Sequence, residues 1–443
     1  MRLMAAEPAG RPARKIALVN PPWSFDGSIY FGCREPHLPL EYGYAQALLT
    51  AAGHDATIFD AQAEGIDDSV LAARVADFAP DTIVVTTAPS YLFWRCAPPE
   101  LRAPQETLAA LSGIDAVTVA IGPHASSTPR IALKKLGVDA VVLGECEEVL
   151  VRLAETPRER WAGIAGLARH DGEDIVVQGG AQSVDMTRLP ALRWPREVVQ
   201  RHAHHHHRFD AAPHGPGAEM EVSRGCPYHC TFCAKDNFRD GYRRRPLATI
   251  LDELDGLIAG GVSYVYFIDE IFLPWRELLE AVAERPVEFG IQTRIDLWRP
   301  DMLDLLGKAG CVSIEAGVES LTQAGRDRLD KDCKLSTEEL RDRLLHAKRS
   351  VPFVQANLIM TEGDDPDMVA RWREQLQRHG VWANEPVPLF PYPGSPEYRR
   401  MWGLPDDDAW ERALDYYLDR YSTFSDIQEA RPRRLAELET AAG

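Results

Sequence analysis

Short apolar runs alternate with longer amphipathic stretches along the N-terminal part of the chain. The run 16–19 reads as a strand and stops at Asn20-Pro21-Pro22-Trp23. Apolar positions at helical spacing cover 40–52, and Gly53 ends that helix because glycine accepts the left-handed turn at a helix terminus. A strand at 56–59, a helix at 69–78, a strand at 82–87, a helix at 104–113 and a strand at 116–121 follow. Strands and helices alternating at these lengths predict an α/β fold, a Rossmann-like doubly wound parallel sheet. Such sheets take ligands beyond the carboxyl ends of their strands. Here those ends are the Asn20 segment, Thr86-Thr87-Ala88-Pro89-Ser90 and Gly122-Pro123-His124.

The alternation resumes at Glu219. A strand at 220–222 delivers a cysteine-rich loop, and a helix at 247–259 leads through Gly260-Gly261 to a buried strand at 264–268. Later strands end near Arg294, Ser320 and Ile359, and 388–396 ends a sixth. Residues beyond Met401 read as helical, with Trp402, Trp410, Tyr416 and Tyr417 packing onto this second unit. The expected organisation is a flexible tail at 1–14, a first domain at 15–195, a linker at 196–217, a second domain at 218–400 and a helical extension at 401–443. The linker holds His202 and His204-His205-His206-His207, a tract that binds divalent metals weakly but lacks fixed geometry.

Composition narrows the setting. The 443 residues are 45% hydrophobic and 26% charged, as in ordinary globular proteins. A formal charge of −18, from 67 acidic against 49 basic residues, argues against nucleic acid or an anionic membrane as partner. It is compatible with a cationic substrate, but simple solubility accounts for it better. No apolar run is long enough to span a bilayer, and no signal-peptide core is present, so the expected location is the cytoplasm. Eight cysteines, three of them in one motif, fit a reducing compartment. Cys33, Cys96, Cys146, Cys311 and Cys333 are scattered and read as packing residues.

The three clustered cysteines carry the chemistry. Cys226, Cys230 and Cys233 follow a C-x-x-x-C-x-x-C spacing. Three thiolates on one loop can hold three corners of a [4Fe–4S] cluster and leave one iron open, whereas electron-transfer clusters are usually closed by a fourth cysteine. The alternative is a zinc site with His229 as fourth ligand, but structural zinc sites draw their ligands as two separated pairs. The spacing, with Phe232 just before the last cysteine, resembles the signature of the radical SAM superfamily. In that family the open iron chelates S-adenosylmethionine (SAM), and one electron releases a 5′-deoxyadenosyl radical.

The resemblance extends along 219–398 and implies a partial (β/α)₆ TIM barrel with its active site at the strand carboxyl ends. It implies that Phe232 contacts cofactor and that Asp269 and Glu270 bind the methionyl ammonium, with a helix cap as the alternative for Asp269. Arg294 would fork onto the methionyl carboxylate, or form a surface ion pair. Glu319 and Ser320 would contact ribose, and Gly317 permits close backbone approach. Glu315 falls one alternation earlier and is expected to point into the barrel. Glu315 and Asp296 are the candidate acid and base.

The first domain resembles the cobalamin-binding domain that precedes many radical SAM barrels. The matching pieces are Asn20-Pro21-Pro22, Gly53-His54, Asp60-Ala61, Ile121-Gly122-Pro123-His124-Ala125, Gly137-Val138-Asp139 and Gly144-Glu145-Cys146-Glu147. No D-x-H-x-x-G pattern supplies an axial histidine, and Tyr91, Phe93 and Trp94 stand where a corrin face would approach. The sequence leaves cobalamin open without favouring it. The segment 234–246, ending in Arg243-Arg244-Arg245-Pro246, resembles radical SAM proteins of oligosaccharide and aminoglycoside biosynthesis. A solvated turn explains those three arginines equally well. The expected reaction is dehydration of a vicinal diol on an aminoglycoside such as paromamine, with cobalamin-dependent methylation as the alternative. An external electron donor of flavodoxin or ferredoxin type and an NAD(P)H-dependent reductase acting on the product are the implied partners.

Overall fold

Fifteen strands and their connecting helices fall into two α/β units in a computed structural model, described over residues 12–29, 35–90, 97–201, 215–421 and 431–439. Strands β1 (Lys15–Asn20), β2 (Asp55–Asp60), β3 (Thr82–Thr86), β4 (Val117–Ile121), β5 (Ala140–Val142), β6 (Leu167–Asp171) and β7 (Asp174–Gln178) form the first sheet. Its order is β2-β1-β3-β4-β5-β6-β7. The pairs are parallel as far as β5; β6 and β7 then add an antiparallel hairpin. The parallel expectation therefore holds for the first five strands and fails for the last two: β6 runs antiparallel to β5 although the helix Glu147–Glu155 lies between them, and β7 returns through a tight turn. The helix over Leu40–Ala51 seats its buried Tyr42 against this sheet, where the phenol donates to Val19 O (2.9 Å) and Val84 O (3.0 Å).

The second unit contains β8 (Gly217–Met220), β9 (Ser223–Arg224), β10 (Arg243–Arg244), β11 (Tyr264–Phe267), β12 (Glu288–Thr293), β13 (Cys311–Glu319), β14 (Phe353–Leu358) and β15 (Trp382–Ala383). Six of these form a wholly parallel sheet in the order β15-β14-β13-β12-β11-β8. Val265, Phe267, Phe289, Ile291, Ile314, Val354 and Ala356 are buried in its apolar core. The alternate residues carry polar groups, as a period of two requires. The strand expected at 220–222 is interrupted: β8 ends at Met220, and β9 then pairs antiparallel with β10. This two-rung ladder closes the base of the cysteine loop. Gly225 has φ +78°, and a Cβ there would strike the Gly241 carbonyl, so only glycine fits.

The C-terminal helices bridge both units. Trp410, in the helix Ala409–Arg420, stacks on His124 of the first domain (ring centroids 4.2 Å apart) and donates to Thr128 Oγ1 at 2.8 Å. Tyr417 packs on Phe390 of the barrel. The expectation that these aromatics all pack on the barrel is thus corrected for Trp410. Among the described residues, no helix is long and apolar enough to cross a membrane. The histidine run, Cys33, Cys96 and the series Tyr91, Phe93, Trp94 lie outside the described residues.

Candidate active site

The cysteine loop leaves the carboxyl end of the barrel's first strand. Cys226, Cys230 and Cys233 are free, partly exposed thiols. Burial raises all three above the ordinary thiol range, Cys230 to about 11 and Cys233 to about 12. A bound iron reverses this preference, since metal ligation requires the thiolate. Cys233 N donates to Cys230 O at 3.1 Å, which turns the end of the loop back on itself. His229 does not complete a zinc set: it is exposed, with Nδ1 3.8 Å from Asp236.

Backbone bonds fix the loop from three sides. Thr231 N donates to Leu329 O (2.9 Å), Glu397 N to Thr231 O (2.8 Å) and Gly225 N to Glu270 Oε2 (2.8 Å). Asp269 accepts from Val222 N at 2.9 Å and from the Ser223 hydroxyl. Burial holds the Asp269 and Glu270 carboxyls above the usual range, partly offset by these bonds for Asp269 and by Arg239 for Glu270. Asp269 is not a helix cap, because the next helix begins at Arg276 with Trp275 before it. Both carboxylates grip the cysteine loop itself.

Around the barrel mouth, Arg294 and Asp296 form a two-point pair (Nε–Oδ1 3.2 Å, Nη2–Oδ2 2.8 Å). The alternative of a surface ion pair is corrected, since both side chains are only 6% exposed. Arg294 also lies over the Tyr228 ring at 3.9 Å, and its Nη1 is buried with no hydrogen-bond partner. Asp296 is committed to Arg294, which makes it a poor candidate for moving protons. Glu319 sits at φ +60° and pairs with buried Lys331, whose ammonium also donates to Gly317 O (2.9 Å). Ser320 is turned away to Asp364 Oδ1 (2.8 Å) and accepts from Thr322 N (3.0 Å), so it fixes the exit of β13. Phe232 is half-buried within the loop.

Deeper in, Glu315 behaves as its position predicts. Its Oε1 accepts from Tyr266 Oη at 2.6 Å across the width of β12. Beside this pair Gly290 leaves room for the ring of Tyr266 and for the Tyr264–Ser313 contact: a Cβ there would strike Tyr264 Oη and approach Ser313 Oγ to 2.5 Å and the Tyr266 ring to 3.1 Å. Glu315 is in register with Gln292 and Gln355, and Tyr266 with Glu219. Glu219 receives His37 Nδ1 at 2.7 Å and Leu38 N at 3.0 Å. His37 belongs to the first domain, yet it is buried against the barrel's edge strand. The chain before the helix Leu40–Ala51 gave no sequence signal for His37. Its role follows from a contact spanning the two domains, which no local pattern encodes.

A parallel six-stranded sheet with a three-cysteine loop at the carboxyl end of its first strand is the arrangement that the radical SAM resemblance implies. Residues 220–376 match the Radical SAM superfamily, whose domain uses a [4Fe–4S] cluster and SAM. Across 85% of its length the chain is 27% identical to the anaerobic magnesium-protoporphyrin IX monomethyl ester cyclase of Cereibacter sphaeroides. Across 72% it is 25% identical to the cytidylyl-2-hydroxyethylphosphonate methyltransferase of Streptomyces wedmorensis. The chain spans 63% of that cyclase and 58% of its Rubrivivax gelatinosus counterpart. Its fold is shared with the cobalamin-bound methyltransferase TsrM of Kitasatospora setae (TM-score 0.70, 19% identity, 87% of this chain and 77% of that one). The cobalamin-dependent enzyme OxsB shares it too (TM-score 0.65, 15% identity, 90% of this chain and 64% of that one).

The first domain's residues fit a corrinoid held by its periphery. Thr87 Oγ1, just past β3, is buried without a hydrogen-bond partner, and Gly122 (φ +114°) permits close backbone approach past β4. His124 is locked beneath Trp410, and burial lowers its pKa to about 3. Among the described residues no histidine at this end is placed as an axial ligand.

Proposed function

We propose that the chain is a corrinoid-assisted radical SAM enzyme that methylates a carbon of a small polar substrate held in the barrel. Likeness to a methyltransferase sequence through both domains carries this reading. When bound, the cluster and SAM supply a 5′-deoxyadenosyl radical, and a corrinoid supplies the methyl group. Thr87 and the Gly122 turn would hold the corrinoid periphery. Arg294 would offer Nη1 to the methionyl carboxylate, while Asp296 orients its fork. Tyr266, Glu315, Gln292 and Gln355 line one inner face and would bind hydroxyl or amino groups of the substrate.

The Tyr266–Glu315 pair also favours a second reading, dehydration of an aminoglycoside diol. After hydrogen abstraction, Glu315 would take the hydroxyl proton, and the His37–Glu219 pair would deliver a proton to the departing hydroxyl, releasing water. The remaining keto radical then needs one electron and one proton to end as a deoxy ketone. The external donor would supply that electron.

One anaerobic experiment separates the two. Iron-reconstituted protein is given SAM labelled in its methyl group, a reductant and paromamine, with and without hydroxocobalamin. Corrinoid absorption surviving desalting and labelled methyl in a product would support methylation. Loss of water without corrinoid would replace it with dehydration. Under dehydration Glu315→Gln lowers turnover by about 10²-fold or more, the usual weight of a positioned base, while 5′-deoxyadenosine still forms; under methylation, where Glu315 only binds substrate, the loss falls chiefly on KM. Gly290→Ala is expected to lower turnover too, because a methyl group there would displace Tyr264 and Ser313 and crowd the ring of Tyr266. Unchanged product formation in both variants would remove the inner face from the site.

A further inference from the structure

Two buried arginines bracket the cysteines, and both are held by the first domain. Arg224 precedes the loop and is fully buried. Its Nη2 lies 2.7 Å from Glu147 and 2.8 Å from Glu221, and its Nη1 lies 3.5 Å from Glu145. Arg239 follows the loop and reaches Glu221 at 2.8 Å, Glu270 at 3.3 Å and Glu145 at 3.6 Å. Arg243 makes a third link, donating to Glu145 Oε1 at 2.6 Å and Oε2 at 3.0 Å. Glu145 and Glu147 stand just past β5 of the first sheet. Glu145 also accepts from Val184 N at 2.6 Å, which ties it into its own domain. Burial opposes its charge, but Arg224, Arg243 and Arg239 outweigh that and bring its pKa to about 2.

Glu147 is the simpler member. It is fully buried, and Arg224 is its one ion-pair partner among the described residues. A buried carboxylate is costly unless paired, so the pairing of Glu147 with Arg224 constrains both side chains. We infer that Glu147 is a positioning residue for the iron–sulfur loop: through Arg224 it sets where Gly225 and Cys226 stand, so the first domain takes part in SAM cleavage as well as in cofactor binding. Arg224, one residue from Gly225, transmits any slack at Glu147 to the first iron ligand.

The test uses the full-length protein, anaerobically reconstituted with iron and sulfide and given SAM and dithionite alone. Because no substrate or corrinoid is present, its outcome is independent of the reaction proposed above. Glu147→Gln is compared with Glu253→Gln, which alters another buried carboxylate at the interface, bonded to Leu192 N of the first domain (2.7 Å) and to Arg245 of its own (2.7 Å), without touching Arg224 or Arg239. Expected for Glu147→Gln is an altered electron paramagnetic resonance spectrum of the reduced cluster with SAM. Cleavage of SAM per assembled cluster should fall roughly tenfold or more, as small misplacements at reacting centres do. Glu147→Asp should recover part of the rate. Wild-type spectrum and cleavage per cluster in Glu147→Gln, or an equal loss in Glu253→Gln, would overturn the inference.

Discussion

Replacing Cys226, Cys230 or Cys233 by alanine is expected to abolish both the cluster and the production of 5′-deoxyadenosine. Two remaining thiolates cannot hold a cube whose fourth iron must stay open, and His229 is turned toward Asp236, where it does not substitute. Iron content and visible absorption of each variant check the first loss; chromatography of the nucleoside checks the second. Brown colour with full cleavage in any variant would show that the cluster lies elsewhere. Loading of the wild-type loop should also depend on pH. Its thiols are raised, Cys230 to about 11 and Cys233 to about 12, so iron must displace protons and loading quickens as pH rises. The stability of the iron-free fold is expected to follow the opposite trend. A group whose folded pKa lies above its unfolded value stabilises below the unfolded value, and that contribution fades as pH climbs toward 11 and 12. Melting curves of iron-free protein at neutral and alkaline pH read this directly.

The second large effect concerns Arg224. Truncation to alanine would leave Glu147 without its partner and weaken the hold on Glu221, all inside the interface between the domains. Removing one member of a buried ionic network costs about 3–5 kcal/mol, a fall of roughly 10 °C in Tm for a domain of this size. Replacing exposed Arg299, paired with exposed Asp301, should shift Tm by at most a degree or two, because screened surface pairs contribute about 0–1 kcal/mol. Scanning calorimetry of the two variants makes the comparison. Equal, small shifts would mean that the interface relaxes around the missing guanidinium.

Much of the architecture was legible because it depends on local periodicity. The helix read at 247–259 is the helix Leu247–Ala259, and the strand read at 82–87 is Thr82–Thr86. The cysteine loop was legible because its spacing is local as well. Side-chain roles fared less evenly. The Arg243-Arg244-Arg245 run looks like a solvated turn in one dimension. In three, Arg243 holds Glu145, Arg244 lies over Trp275 at 4.7 Å and Arg245 is buried on Glu253. Asp269 and Glu270 stand at the expected strand end, but their partners are the backbone of another strand's exit. Such pairings connect residues tens of positions apart, and nothing in the flanking sequence specifies them. The antiparallel hairpin β6–β7 escaped for a related reason: its alternation resembles that of any half-buried strand.

The contact between His37 and Glu219 has an evolutionary consequence. A barrel whose inner wall includes a side chain from the preceding domain cannot be shuffled as an independent module. A graft of this barrel onto a different N-terminal partner would arrive without its histidine and with Glu219 facing an unmatched surface. Lineages carrying this arrangement are therefore expected to keep the two halves together and to change them in step, with positions 37 and 219 varying as a pair.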